Sequence, residues 1–190
     1  MRFFLLLLKY IVVTCLLLNS AKTFAQTSKT IKTLSIGDKM PDVKITNIIN
    51  SHIKSGKISD YKGKLILLDF WSTWCSACID GFSELDSLQR QYPDKIQILL
   101  VNPKREGDSK KGVQIVINRM NEWSTRPFRL PIVFQDTSIT KNFQFHSLPH
   151  CVWIGPDGKV IGITGKEEVT IQNIKKGIAG KKIEIIANKH

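Results

Sequence analysis

Two cysteines separated only by Ser76 and Ala77, Cys75 and Cys78, are the residues of this chain best suited to chemistry. Residues three apart on a helix share a face with Cβ atoms about 5–6 Å apart, so a disulfide between them needs only modest adjustment. The pair closely follows "LILLDF" (65–70), an apolar run bounded by Gly63, with the pattern of a parallel strand buried on both faces. Cys75 is therefore expected at a helix N-terminus. There, unpaired N–H groups and the macrodipole favour an anion and lower the thiol pKa. Cys78, one turn further in and deeper, is the expected resolving thiol, and Cys75 the attacking nucleophile. Trp74 would shield the pair and present an apolar surface to a partner.

Other uses of a CxxC motif fit less well. An all-cysteine zinc site needs a second pair, and only Cys151, His146 and His150 are available to complete one. A purely structural disulfide closing so small a loop constrains the unfolded chain little. The motif between a buried strand and a helix reads as a redox site.

Asp69 is the misfit inside the apolar run, six residues before Cys75. A carboxyl beneath Cys78 would be desolvated, with a raised pKa. It could accept the Cys78 proton, through a water, when that thiol must become a thiolate. The alternative leaves Asp69 at the strand rim, solvated and idle; the apolar flanks Leu68 and Phe70 favour the buried placement. Pro149, in "SLPHCVWI", precedes another strand and is either an ordinary strand-start residue or a cis proline in a tight turn. Spacing alone leaves both open.

These residues need a scaffold. Ile79, Phe82, Leu85, Leu88 and Tyr92 recur at helical spacing, so 75–92 is expected to be one amphipathic helix, with Gly81 costing it about 1 kcal/mol and Pro93 ending it. "IQILLV" (96–101) reads as a second buried strand and the charged 103–111 as a surface loop. Val113 to Trp123 marks a further helix, 130–136 a short extended piece and 138–144 a short helix. "CVWI", "GPDG" and "KVIGIT" form a hairpin signal, and a helix over 167–179 follows. "MPDVKITNI" (40–48) suggests a strand, paired with 52–57 as an N-terminal hairpin. The expected class is a three-layer α/β fold.

In the 190-residue chain, Arg2, an apolar stretch interrupted by Lys9, and small residues Thr23 and Ala25 have the layout of a secretory signal peptide over 1–25. The uninterrupted stretch from Tyr10 to Leu18 is shorter than the roughly 20 residues that span a bilayer, which favours cleavage over a retained anchor. The expected organisation is then a leader (1–25), a polar linker (26–35) and one domain (36–190) in the periplasm or an equivalent exported compartment. Membrane contact is expected only if the leader is kept. The net charge is +12, or +9 without the leader's three cations. The lysines are scattered and no aromatics interleave with them, which argues against nucleic acid. An exported chain left with Cys75, Cys78 and Cys151 has a poor structural disulfide framework but a plausible reactive pair.

"LLDFWSTWCSAC", the "SLP" before a strand and "GPDGKV" leading to a last strand and helix together resemble the thioredoxin superfamily. "IGDKMPDVKI" with "ISDYKGKLILLDFWSTWC" is similar to the exported TlpA/ResA-type thiol–disulfide oxidoreductases, over roughly residues 36 to 180. The resemblance implies a thioredoxin-like fold, a central mixed sheet flanked by helices with an N-terminal β-hairpin extension. It implies that Pro149 is a cis proline beside the cysteines, limiting metal capture and docking substrate together with Leu148 and Trp74, and that Asp69 handles protons. It implies protein thiols and disulfides as partners, a membrane electron donor, a monomer and no cofactor. Ala77 stands where the commonest motif has proline, and Gly81 and Ser83 replace the Glu and Pro of the cytochrome-maturation branch. Cys151 is extra. Its simple reading is a free buried thiol. The rival reading is a copper- or zinc-handling protein using Cys75, Cys78, Cys151 and His150. A peroxidase fits less well: Ser72 stands at a suitable place before Cys75, but Leu68 occupies the position of the required proline.

Overall fold

The computed structural model describes residues 2–3 and 33–185. The expected leader and most of the expected linker lie outside these residues. The chain divides into two compact units, Met1–Ile31 and Lys32–His190. Of the first only Arg2 and Phe3 are described, both helical. Everything below concerns the second unit.

Eight strands are described: β1 (Lys44–Ile45), β2 (Ile48–Ile49), β3 (Gly56–Lys57), β4 (Leu65–Phe70), β5 (Ile96–Pro103), β6 (Ile132–Asp136), β7 (His150–Ile154) and β8 (Val160–Thr164). The helices are α1 (Ser76–Asp80), α2 (Phe82–Gln91), α3 (Lys110–Trp123) and α4 (Ile171–Ile178). Six strands form one mixed sheet in the order β2-β6-β5-β4-β7-β8. β4 lies at its centre, parallel to β5 and antiparallel to β7. Both faces of β4 are covered, as its largely apolar run required, and Asp69 is buried with the rest.

Alternation along β4 sorts the core into two parts. Leu65 and Leu67 meet the buried stripes of the helices, including Ile79, Phe82, Leu85, Val113, Val116 and Ile174. Ile66, Leu68 and Phe70 meet the opposite layer, built from Met40, Ile45, Ile58, Ile139, Phe143 and Phe145. That second layer is the N-terminal hairpin, the 3-10 turn Ile58–Tyr61 that follows it, and a second 3-10 turn, Thr140–Asn142, rather than a full helix. Asp136 explains the turn: its carboxylate accepts from the backbone N–H groups of Ser138, Ile139 and Thr140. α4 approaches the sheet closely at Gly177, where a Cβ would stand 2.8 Å from Leu65 Cδ1.

Two expected elements are subdivided. The strand expected over 40–48 breaks at Asn47, whose φ of 58° is a left-handed conformation that Asn tolerates. β1 pairs with β3 as the expected hairpin, whereas β2 joins the main sheet beside β6. The helix expected over 75–92 breaks at Gly81, which caps α1 and opens α2. The apolar stripe continues across the break, so the helical periodicity survived in the sequence while the hydrogen-bond discontinuity did not show.

Candidate active site

The strand-to-helix turn after β4 places the cysteines. Cys75 is the N-cap of α1, and its sulfur accepts a hydrogen bond from the Cys78 N–H at 3.3 Å. Cys75 and Cys78 are joined as a disulfide with Cα atoms 5.3 Å apart. The expected difference in depth is slight, since Cys75 is 5% and Cys78 2% exposed. Their neighbours differ more. Cys75 adjoins Trp74, which is 63% exposed, whereas Cys78 lines a cavity of about 330 Å³ with Asp69, Pro149, Cys151 and Lys166.

Asp69 is buried rather than at the rim. It lies opposite Cys151 across the β4–β7 ladder, and the Cys151 thiol donates to its Oδ1 at 3.7 Å, a long contact even for sulfur. Burial pushes the Asp69 carboxyl up to about 7, opposed by the Cys151 hydrogen bond and the charge of Lys166. Burial and the neighbouring Asp69 push the Cys151 thiol well above its ordinary value. Cys151 is thus a protonated donor, the free buried thiol of the simple reading. The Leu148–Pro149 peptide bond is cis, and Pro149 borders the cavity. Leu148 is half-buried and touches both parts of the core.

The metal-handling set does not converge. His150 precedes Cys151 on β7, so alternation turns it to the other face of the sheet. Its ring stacks on Phe145 at 4.7 Å, with the Arg105 guanidinium 4.0 Å from that ring's centroid. Burial and Arg105 lower the His150 pKa to about 4. Among the described residues no group of three or more His, Cys, Asp or Glu side chains is placed to hold a metal ion. His52 and His146 are exposed, and Trp71 and Trp153 are fully buried in the core.

Two residues escaped the sequence reading. Asp108, expected in a solvated loop, is buried. It accepts from the Thr73 N–H at 3.0 Å, from the Thr73 hydroxyl and from the Asn102 amide. It therefore anchors the turn leading into Cys75 to the end of β5. The charged run 103–111 hid it; the available signal was its place directly before Ser109, the N-cap of α3. Replacing Asp108 by alanine leaves those donors unpaired and is expected to cost about 3 kcal/mol. Urea unfolding measures the loss, and Asp108→Asn should recover part of it. Unchanged stability would show that water replaces the carboxylate. The second missed residue is Lys166, whose Nζ donates to the Ala77 carbonyl oxygen at 2.9 Å.

A disulfide at a helix start, a buried carboxyl and a cis proline on one cavity, in a thioredoxin-like fold, define the thioredoxin-like thiol–disulfide oxidoreductases. The chain belongs to the AhpC/TSA family, whose sequence model matches residues 36–163. Among curated proteins it is similar to the thioredoxin-like protein YneN of Bacillus subtilis, with 26% identity over 70% of this chain and 75% of that protein. It is also similar to the thiol-disulfide oxidoreductase ResA of Bacillus subtilis, with 27% identity over 70% of this chain and 68% of that protein. Among solved structures it shares its fold with the thioredoxin domain of a Bacteroides vulgatus thiol-disulfide oxidoreductase, at 18% identity and a TM-score of 0.57 over 78% of this chain and 98% of that chain. StoA of Bacillus subtilis matches at 19% identity and a TM-score of 0.53, over 67% of this chain and 90% of that chain.

Proposed function

We propose that the protein is an exported reductase of protein disulfides, recharged by a membrane electron donor that carries a dithiol. The observation that carries this reading is the asymmetry of the pair: Cys75 caps the helix beside exposed Trp74, while Cys78 shares a cavity with Asp69. In the reduced protein the Cys75 thiolate attacks one sulfur of a substrate disulfide, forming a mixed disulfide and releasing the first substrate thiolate, which takes a proton from solvent. Cys78 then gives its proton to the Asp69 carboxylate and attacks the Cys75 sulfur, releasing the second substrate thiolate, which takes up that proton by way of solvent. The substrate gains two electrons, and the protein is left with the Cys75–Cys78 disulfide. The donor's dithiol reverses both steps on the protein.

Cis-Pro149, which shares the cavity with Cys78, exposed Trp74 and half-buried Leu148 are the surface on which the substrate chain docks. The named relatives support the reaction class, and the apolar N-terminal stretch of the sequence supports export. Among the described residues no helix is long and apolar enough to cross a membrane.

The test is a Cys78→Ser variant expressed with its N-terminal segment, followed by non-reducing gels of the cell envelope. Mixed disulfides through Cys75 are expected to accumulate, and their partners to be proteins that lose a disulfide. A variant that traps nothing and matches Cys75→Ser in every lane would overturn the assignment.

A further inference from the structure

Lys166 lies beyond any sequence motif, on the loop after β8, yet it reaches the residue between the two cysteines. The break at Gly81 explains why the Ala77 carbonyl is open to it. A continuous α-helix would direct the Gly81 N–H to the Ala77 oxygen. That N–H instead bonds to the Cys78 oxygen at 3.1 Å. The half-buried Lys166 takes the freed carbonyl. Lys166 also lines the cavity that holds Asp69 and Cys78.

Charge makes the placement consequential. The cavity that holds Asp69 is also lined by Cys78, Asp80 and Glu84 from the helices, Cys151 from β7, and Lys166 and Glu167 from the loop, and the buried Glu168 beside them acts on the Cys151 thiol. Lys166 is the one cation among the residues lining this cavity, against the carboxyls of Asp69, Asp80, Glu84 and Glu167.

We propose, building on the oxidoreductase reading, that Lys166 is a positioning residue for exchange. It pins the redox turn through the Ala77 carbonyl and supplies the cation that offsets Asp69 across the cavity. Removing its charge removes the cation that opposes the effect of burial, so Asp69 holds its proton to higher pH. The carboxylate needed to take the Cys78 proton is then scarcer near neutrality. The direction of the Lys166 effect on Asp69 agrees, since its charge lowers that carboxyl. A lysine that merely braced the loop would alter stability without moving a titration.

The experiment is single-turnover reduction of a model protein disulfide from pH 5 to 9 by wild type, Lys166→Met and Lys166→Arg. The Asp69-linked inflection is expected to rise by about one pH unit in Lys166→Met and to return near wild type in Lys166→Arg. In an Asp69→Asn background, Lys166→Met should leave the profile unmoved. A Lys166→Met profile that superposes on wild type overturns the proposal, as does a shift that persists without Asp69. Both results leave the oxidoreductase reading standing. Exchange that survives Cys75→Ser would remove that reading, and the Lys166 proposal with it.

Discussion

Cys75→Ser is expected to abolish disulfide reduction, by a factor on the order of 10⁴ or more, whereas Cys78→Ser should keep the first half of the reaction. The difference follows from placement. Cys75 is the N-cap of α1, where the helix dipole and the Cys78 N–H stabilise negative charge on its sulfur. Cys78 lies one turn in, on the cavity that also holds Asp69, the acceptor for its proton. In the reduced protein, alkylation by iodoacetamide between pH 6 and 9 should modify Cys75 first. Mass spectrometry should find Cys78 slow and Cys151 unmodified until the protein unfolds, since Cys151 is 1% exposed. Equal rates at Cys75 and Cys78 would mean that helix position does not divide their roles.

The parts of the site that the sequence revealed are those whose chemistry depends on local spacing. The Cys75–Cys78 interval, the run into Asp69 and the apolar stripe from Ile79 to Leu88 each follow from the period of one element. Strand alternation was equally readable at Cys151, and carried one residue back it turns His150 away, which dissolves the metal set. The clamp on Thr73 was hidden because it is tertiary. Asp108 is 35 residues from Thr73, inside a run whose lysines are exposed. Lys166 is further still, 89 residues from Ala77, and its partner is a backbone carbonyl that carries no sequence signal. The second layer was misjudged in form: the 138–144 segment packs its apolar residues, but Asp136 draws the N–H groups into a single turn. Pro149 is an intermediate case, in which residue type narrowed the choices and the surrounding fold selected the cis form.

Asp69→Asn is expected to stabilise the oxidised protein at pH 8 while slowing its chemistry once reduced. Burial raises the Asp69 carboxyl from its ordinary 3.8 to about 7, so the folded state holds this proton more tightly than the unfolded chain does. Stability from this group is therefore fully present below pH 3.8, falls as pH rises through the interval to about 7, and is lost above it. The full excursion is on the order of 4 kcal/mol. Asn keeps an oxygen for the Cys151 thiol but has no charge to desolvate, so its unfolding free energy should lack this decline. His150 acts in the opposite sense, because its pKa falls from 6.5 to about 4 on folding and its contribution is lost as pH drops through that range. That contribution is common to both proteins and cancels in the difference between them. Urea unfolding from pH 4 to 9 should thus give curves that diverge with rising pH and become parallel above about pH 8. The same substitution removes the acceptor for the Cys78 proton, slowing release of the Cys75-bound substrate by about 10²-fold or more at pH 7. The mixed disulfide would then persist long enough to be seen by rapid acid quench. Parallel stability curves together with unaltered release would show that Asp69 neither carries the buried charge nor handles the proton.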